Sequence, residues 1–307
     1  MDNMVEDLKR EINNLKKEKN AIILAHNYQP KEVQDIADFL GDSLELCIKA
    51  TKLKDKDIIV FCGVDFMAET AYILNPDKKI IMPDLEAECP MAHMVTGQQV
   101  LDAKEKYPNA AVCLYVNSLA DAKQYADTLC TSSNVEHVVN SLDQDEVLFG
   151  PDNNLGEYVQ NKTSKKIIPI SKEGYCYVHK KFTPEDIQKK RKEYPGVEII
   201  CHPECDQKVQ KLCDYVMSTG AIINHVKNSE KLEFIVGTEV DIITRLKTEA
   251  PNKKVYPLRH DAICETMKLH TLVKIRDSLL NEKPLITLED DIVKKSLKAV
   301  NHMLKCS

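Results

Sequence analysis

Three cysteines stand at nearly equal intervals in this chain: Cys89, Cys176 and Cys264, separated by 87 and 88 residues. A thiolate is a soft ligand for zinc or iron, so three similar modules that each supply one thiolate would share a metal centre. Other polar residues keep the same frame. The triplets His26-Asn27-Tyr28, Tyr115-Val116-Asn117 and His202-Pro203-Glu204 recur at 89 and 87, as do the hydroxyls Ser43, Ser132 and Thr219. Side chains alternate along a strand, so the outer members of each triplet share a face. The pairs His26/Tyr28, Tyr115/Asn117 and His202/Glu204 offer groups for proton transfer and hydrogen bonding. A hydroxyl just before a helix begins suits a carboxylate or phosphate ligand.

The elements that position these residues repeat as well. Gly63, Gly150 and Gly237 each follow an apolar run that reads as a buried strand, and Asp65, Asp152 and Glu239 come two residues later. Lys79, Lys166 and Lys254 each open a further apolar run. In the first unit A-I-I-L-A-H, F-L-G-D-S, D-I-I-V-F-C-G and K-I-I-M-P read as strands, with amphipathic helices between them. Such alternation predicts an α/β fold of parallel sheets with helices on both faces. The repeat therefore predicts three homologous three-layer αβα domains, each with a small parallel sheet, around a pseudo-threefold axis. Their expected bounds are 1–88, 89–175 and 176–269, with the helices of 270–307 docked on the first unit and Thr287 capping the last helix. Parallel sheets bind ligands beyond the carboxyl ends of their strands, which is where the triplets, hydroxyls and cysteines fall.

Composition narrows the function class. At 43% hydrophobic and 29% charged, the chain of 307 residues is of an ordinary globular kind. No segment approaches the ~20 apolar residues of a membrane span, and M-D-N-M-V-E-D-L-K-R lacks the apolar core of a signal peptide. The expectation is a cytoplasmic protein without a membrane partner. A net charge of -6 and the absence of Trp argue against a nucleic-acid partner. Eleven cysteines, an odd number, fit free or metal-bound thiols better than disulfides. The eight outside the frame, Cys47, Cys62, Cys113, Cys130, Cys201, Cys205, Cys213 and Cys306, read as buried structural residues. Tyr125, His137 and His225 read as scaffold, and Asp65, Asp152 and Glu239 as helix caps or chemical groups alike.

Three thiolates with one water could hold zinc, yet ligands from separate modules without a C-x-x-C loop suit a 4Fe-4S cluster better. Such a cluster leaves one iron without a protein ligand, free to act as a Lewis acid. The chemistry points to a lyase or dehydratase acting on a small polyanion.

The strings A-H-N-Y-Q, G-D-S, M-P-D-L-E-A-E-C-P-M-A, Y-V-N-S, C-T-S-S-N, F-G-P-D-N-N-L-G, G-Y-C-Y-V-H, H-P-E-C, S-T-G and C-E-T-M occur in this order over nearly the whole chain. In these strings the chain resembles the quinolinate synthases. The resemblance implies a triangular arrangement of three domains around a 4Fe-4S cluster bound by Cys89, Cys176 and Cys264. It also implies condensation of iminoaspartate, supplied by an aspartate-oxidising enzyme, with dihydroxyacetone phosphate to give quinolinate, phosphate and water in de novo NAD synthesis. His26, Tyr28, Ser43, Tyr115, Asn117, Ser132, His202, Glu204 and Thr219 match the substrate and catalytic positions, with Tyr28 and Glu204 as candidates for proton transfer and His202 beside them. Some members carry C-x-x-C-x-x-C at the third ligand; this chain has only C-E-T-M. Two rival readings are a three-cysteine radical enzyme cleaving S-adenosylmethionine and a non-catalytic iron-sulfur carrier or sensor. The polar ring above the cysteines speaks against the latter.

Overall fold

The computed structural model describes residues 2–306. The first unit comprises α1 (Asp2–Glu18), β1 (Ala21–His26), α2 (Lys31–Ile36), β2 (Phe39–Gly41), α3 (Ser43–Ala50), β3 (Ile58–Cys62), α4 (Asp65–Leu74) and β4 (Lys79–Ile81). The second contains α5 (Gly97–Lys106), β5 (Ala111–Tyr115), α6 (Ala120–Lys123), β6 (Thr128–Cys130), α7 (Val135–Ser141), β7 (Glu146–Gly150), α8 (Asn153–Gln160) and β8 (Lys166–Pro169). The third contains α9 (Pro184–Glu193), β9 (Glu198–Cys201), α10 (Gln207–Gln210), β10 (Tyr215–Val216), α11 (Thr219–Asn228), β11 (Glu233–Gly237), α12 (Ile242–Glu249) and β12 (Lys254–Pro257). The tail forms α13 (Leu272–Asn281), β13 (Leu285–Ile286) and α14 (Asp290–Lys305).

The fold is α/β, with three small sheets of one design. Their orders are β13-β4-β3-β1-β2, β6-β5-β7-β8 and β10-β9-β11-β12. Every pairing is parallel except β13 with β4. β1, β3 and β5 are buried along their whole length, as the covering of both faces by helices demands. In β1, Ile23 and Ala25 face a core built with α1, α2 and α13, whereas Ile22 and Leu24 face a larger core with α3 and α4. That larger core continues into Val112, Leu114, Leu148 and Phe149 of the second sheet, so the first two units share one apolar interior. The third sheet has its own two layers, Phe234 and Val236 on one face and Ile199, Cys201 and Ile235 on the other.

The connectors also repeat. α5 and α9 open on capping boxes at Thr96 and Thr183 and end at Tyr107 and Tyr194. The tail departs from the sequence expectation in two respects. α13 lies on α1 and β13 extends the first sheet, but α14 packs on β6 and α6 of the second unit as well as on α4, so the tail bridges two units. Its N-cap is Glu289 and not Thr287, with no side-chain capping bond, because Leu285 and Ile286 are drawn into the sheet and helical geometry starts only at Asp290.

α14 presents Ala299, Val300 and Met303 to the shared core, each fully buried. Met303→Ala is expected to lower stability by about 2–5 kcal/mol, read as a shift in the urea midpoint. An unchanged midpoint would mean that the helix does not fasten the two units.

Candidate active site

The carboxyl ends of the three sheets converge on one cavity. Its lining includes all twelve of the register-matched residues: the three cysteines, the three strand-end pairs and the three hydroxyls. None of the other eight cysteines lines it.

The helix starts are tied together by Asp42. Its Oδ1 accepts the Leu44 and Glu45 N–H groups at 3.0 and 2.9 Å, the Glu45 carboxylate returns to the Asp42 N–H, and α3 begins. Asp42 Oδ2 accepts the Ser133 hydroxyl at 3.0 Å and the Gly220 N–H at 3.3 Å, and Ser133 also contacts Ser218, the cap of α11, at 2.8 Å. A Cβ on Gly220 would lie 2.8 Å from Asp42 Oδ2, so only glycine admits this approach. Ser43 and Thr219 are the first residues of α3 and α11, and Ser132 lies three residues before α7. Hydroxyls and helix starts thus surround one end of the cavity, where they favour anionic groups.

The histidines are held as neutral donors. His26 Nδ1 accepts the Tyr28 N–H at 3.2 Å, and His202 Nδ1 accepts the Glu204 N–H at 3.3 Å. Each contact needs a lone pair on Nδ1, which leaves the proton on Nε2. His202 Nε2 lies 3.2 Å from Ser132 Oγ. Burial pushes both imidazoles down to about 3, assisted at His26 by Lys268. Asn117 Oδ1 is buried without a partner, an acceptor left for a ligand.

Two further residues complete the site. Glu204 accepts from the Tyr115 hydroxyl at 2.6 Å and lies 2.8 Å from His179 Nδ1. The other ring nitrogen of His179 is 2.8 Å from Thr238 Oγ1, which is 2.5 Å from the Tyr28 hydroxyl. Tyr28 and Glu204 therefore belong to one chain of close polar contacts, Tyr28–Thr238–His179–Glu204–Tyr115, buried except at half-buried Tyr28. Burial alone would raise the Glu204 carboxyl, but His179 beside it and the bond from Tyr115 hold it below the usual range. Burial, with Glu204 nearby, pushes both tyrosines well above theirs. His179 and Thr238 escape the repeat because their register mates in the other units carry different side chains. The only sequence signal was position: His179 three residues beyond Cys176 in G-Y-C-Y-V-H, and Thr238 beside in-register Glu239.

Each cysteine precedes a short 3-10 turn: Pro90–Met94, His179–Lys181 and Thr266–Lys268. The Ala92 N–H donates to the Cys89 carbonyl at 2.9 Å and the Lys180 N–H to the Cys176 carbonyl at 3.0 Å, so these turns are anchored on the cysteines themselves. Burial raises the Cys89 and Cys176 thiols, and the neighbouring cysteines and Glu204 raise them further. Such a set stays protonated unless a cation joins it, so the donors fit a metal cluster. The ligand atoms of Cys176, His179 and Glu204 also lie within 4.8 Å of one another. His179 Nε2 is engaged by Thr238, whereas Nδ1 lies 2.8 Å from Glu204 without closing a hydrogen bond there.

The neutral histidines set an acid limit. Their folded values lie below the unfolded 6.5, so below pH 6.5 the unfolded chain binds more protons and stability falls towards pH 3. Each histidine is expected to cost about 1 kcal/mol per pH unit in that window. Urea midpoints of the metal-free protein at pH 6.5 and 4.5 measure this, and His26→Asn should reduce the difference; an equal difference would place the acid sensitivity elsewhere.

The family described as Quinolinate synthetase A protein matches residues 10–305. The quinolinate synthase of Methanothermobacter thermautotrophicus is 58% identical over 304 residues, covering 99% of this chain and all of the relative. That of Methanocaldococcus jannaschii is 54% identical over 97% of this chain and 99% of its own length, and that of Pyrococcus furiosus 52% identical over 99% of each. With a cavity that gathers the cysteines, strand-end pairs and hydroxyls of all three units, and matches that run almost end to end, this chain belongs to the quinolinate synthetase A family.

Proposed function

We propose that this chain is a cytoplasmic quinolinate synthase. It would condense iminoaspartate with dihydroxyacetone phosphate to quinolinate and phosphate, with loss of water, around a 4Fe-4S cluster held by Cys89, Cys176 and Cys264. The observation that carries this reading is one cavity that gathers three cysteines, converging helix starts for anions, and a chain of polar contacts ending on half-buried Tyr28. When bound, the cluster supplies a Lewis-acidic iron that polarises a substrate oxygen.

The chain's own residues do the rest. Ser43, Ser132 and Thr219, with nearby peptide N–H groups, bind phosphate and carboxylates. These local donors are needed because the protein carries a net charge of -6. His26 and His202 offer Nε2 protons, and Asn117 offers an unpartnered acceptor, to orient the substrates. Isomerisation of the ketose phosphate, condensation and dehydration all move protons on and off carbon and oxygen. Tyr28 is placed for this work. Its proton can pass to Thr238 Oγ1 while the Thr238 proton passes to His179, whose imidazolium is stabilised by ionised Glu204. Tyr115 holds Glu204 in place and closes the far end of the chain.

The test is anaerobic iron and sulfide analysis beside a quinolinate assay from the two proposed substrates. Cys89→Ser is expected to lose the cluster absorbance together with turnover; retention of both would remove Cys89 as a ligand. Glu204→Gln and His179→Gln should keep their iron but lose roughly 10²-fold or more in kcat, and undiminished kcat would break the proton chain.

A further inference from the structure

Asp65, Asp152 and Glu239 keep the repeat frame but take no part in the proton chain. Asp65 and Glu239 reach instead towards loops that carry a cysteine. Asp65 Oδ1 accepts the Cys89 peptide N–H at 3.0 Å, and Glu239 Oε1 accepts the Cys264 peptide N–H at 3.2 Å. Asp152 is fully buried; its Oδ1 holds the Leu155 N–H at 2.7 Å and its Oδ2 closes no hydrogen bond.

A second bond repeats beside the first. The N–H groups of Asp65, Asn153 and Val240 donate to the carbonyls of Ala87, Gly174 and Ala262 at 3.0, 2.9 and 2.9 Å. Each acceptor lies two residues before a cysteine. A Cβ on Gly174 would fall 1.5 Å from the Pro151 carbonyl, so only glycine lets the middle loop lie this close to the end of β7. The third clamp has an additional tie: Lys268 Nζ lies 2.8 Å from Glu239 and 2.7 Å from Asp241, and also donates to the Tyr28 carbonyl.

A carboxylate close to a prospective thiolate is electrostatically unfavourable, and this fold places one in each unit. The compensating gain is geometric. Charged acceptors make the stronger hydrogen bonds to peptide N–H groups, and these acids stand just beyond the buried strands β3, β7 and β11. We propose that Asp65 and Glu239 are positioning residues that hold the Cys89 and Cys264 loops in their ligating arrangement before metal arrives. This rests on the reading that Cys89, Cys176 and Cys264 bind the cluster. The acids grip the peptide and leave the sulfurs free, so the same clamp serves the metal-free and loaded states.

Asp65→Ala and Glu239→Ala remove the acceptor, whereas Asp65→Asn and Glu239→Gln keep a carbonyl oxygen in its place. Two readouts apply: amide hydrogen exchange of the Cys89 and Cys264 segments in the metal-free protein, and the rate at which an iron chelator strips the anaerobically reconstituted protein. In Asp65→Ala the Cys89 segment should exchange about tenfold faster or more, with the Cys264 segment unchanged, and iron should leave about tenfold faster. The amide variants should stay within about threefold of the parent on both readouts. Exchange at Cys89 that matches the parent in Asp65→Ala, or an Asn variant as impaired as the Ala variant, would overturn the proposal. Glu239→Ala supplies the same comparison at Cys264 if Asp65→Ala does not fold. A parent protein that takes up no iron would sink the cluster reading, while the exchange comparison would still decide the clamp.

Discussion

The Asp42 carboxylate receives hydrogen bonds from all three units: the first turn of α3, Ser133 ahead of α7, and Gly220 at the start of α11. Parallel sheets can offer ligands only what projects from the carboxyl ends of their strands. Three such ends make a common site only if they are held face to face. The Asp42 knot does this at the helix starts, and the core shared by the first two units does it beneath them. A carboxylate that satisfied one helix alone would cap α3 just as well but would leave the cavity without a fixed rim.

Charge is arranged around that rim with economy. The cavity is lined by Asp42, Glu204, Glu239 and three thiols, so anionic groups are favoured only where helix starts and hydroxyls outweigh them. Neither His26 nor His202 supplies positive charge, because burial and an Nδ1 committed to a backbone N–H keep each neutral. They act as oriented donors. The contacts that join Thr238, His179, Glu204 and Tyr115 are buried and end on half-buried Tyr28, so each link depends on the next.

What the repeat exposed and what it hid follow from one fact: a period reveals what is alike in each unit. The cysteines, strand-end pairs and hydroxyls could be aligned because three strand ends need similar polar residues at similar heights, and all twelve line the cavity. His179 and Thr238 could not, since they occur in the third unit alone. Asp65, Asp152 and Glu239 were visible in register, yet a helix cap and a clamp on a distant loop look identical in a linear string. The tail was harder still. The amphipathic period of α14 marks an apolar face but does not say which of two neighbouring units will cover it.

By itself the sequence determined the strands, their alternation with helices, the threefold repetition and the identity of the groups at each strand end. These depend on local apolar periodicity and residue type, which a chain displays in order. The tertiary structure alone decided which unit's residues meet across the axis: that Tyr28 reaches Glu204 through Thr238 and His179, that Asp42 binds three helix starts, and that Asp65 and Glu239 turn to the Cys89 and Cys264 loops. Those contacts join residues separated by tens to hundreds of positions, and no local preference encodes them. They exist because buried polar groups must find partners in whatever packing the apolar cores allow.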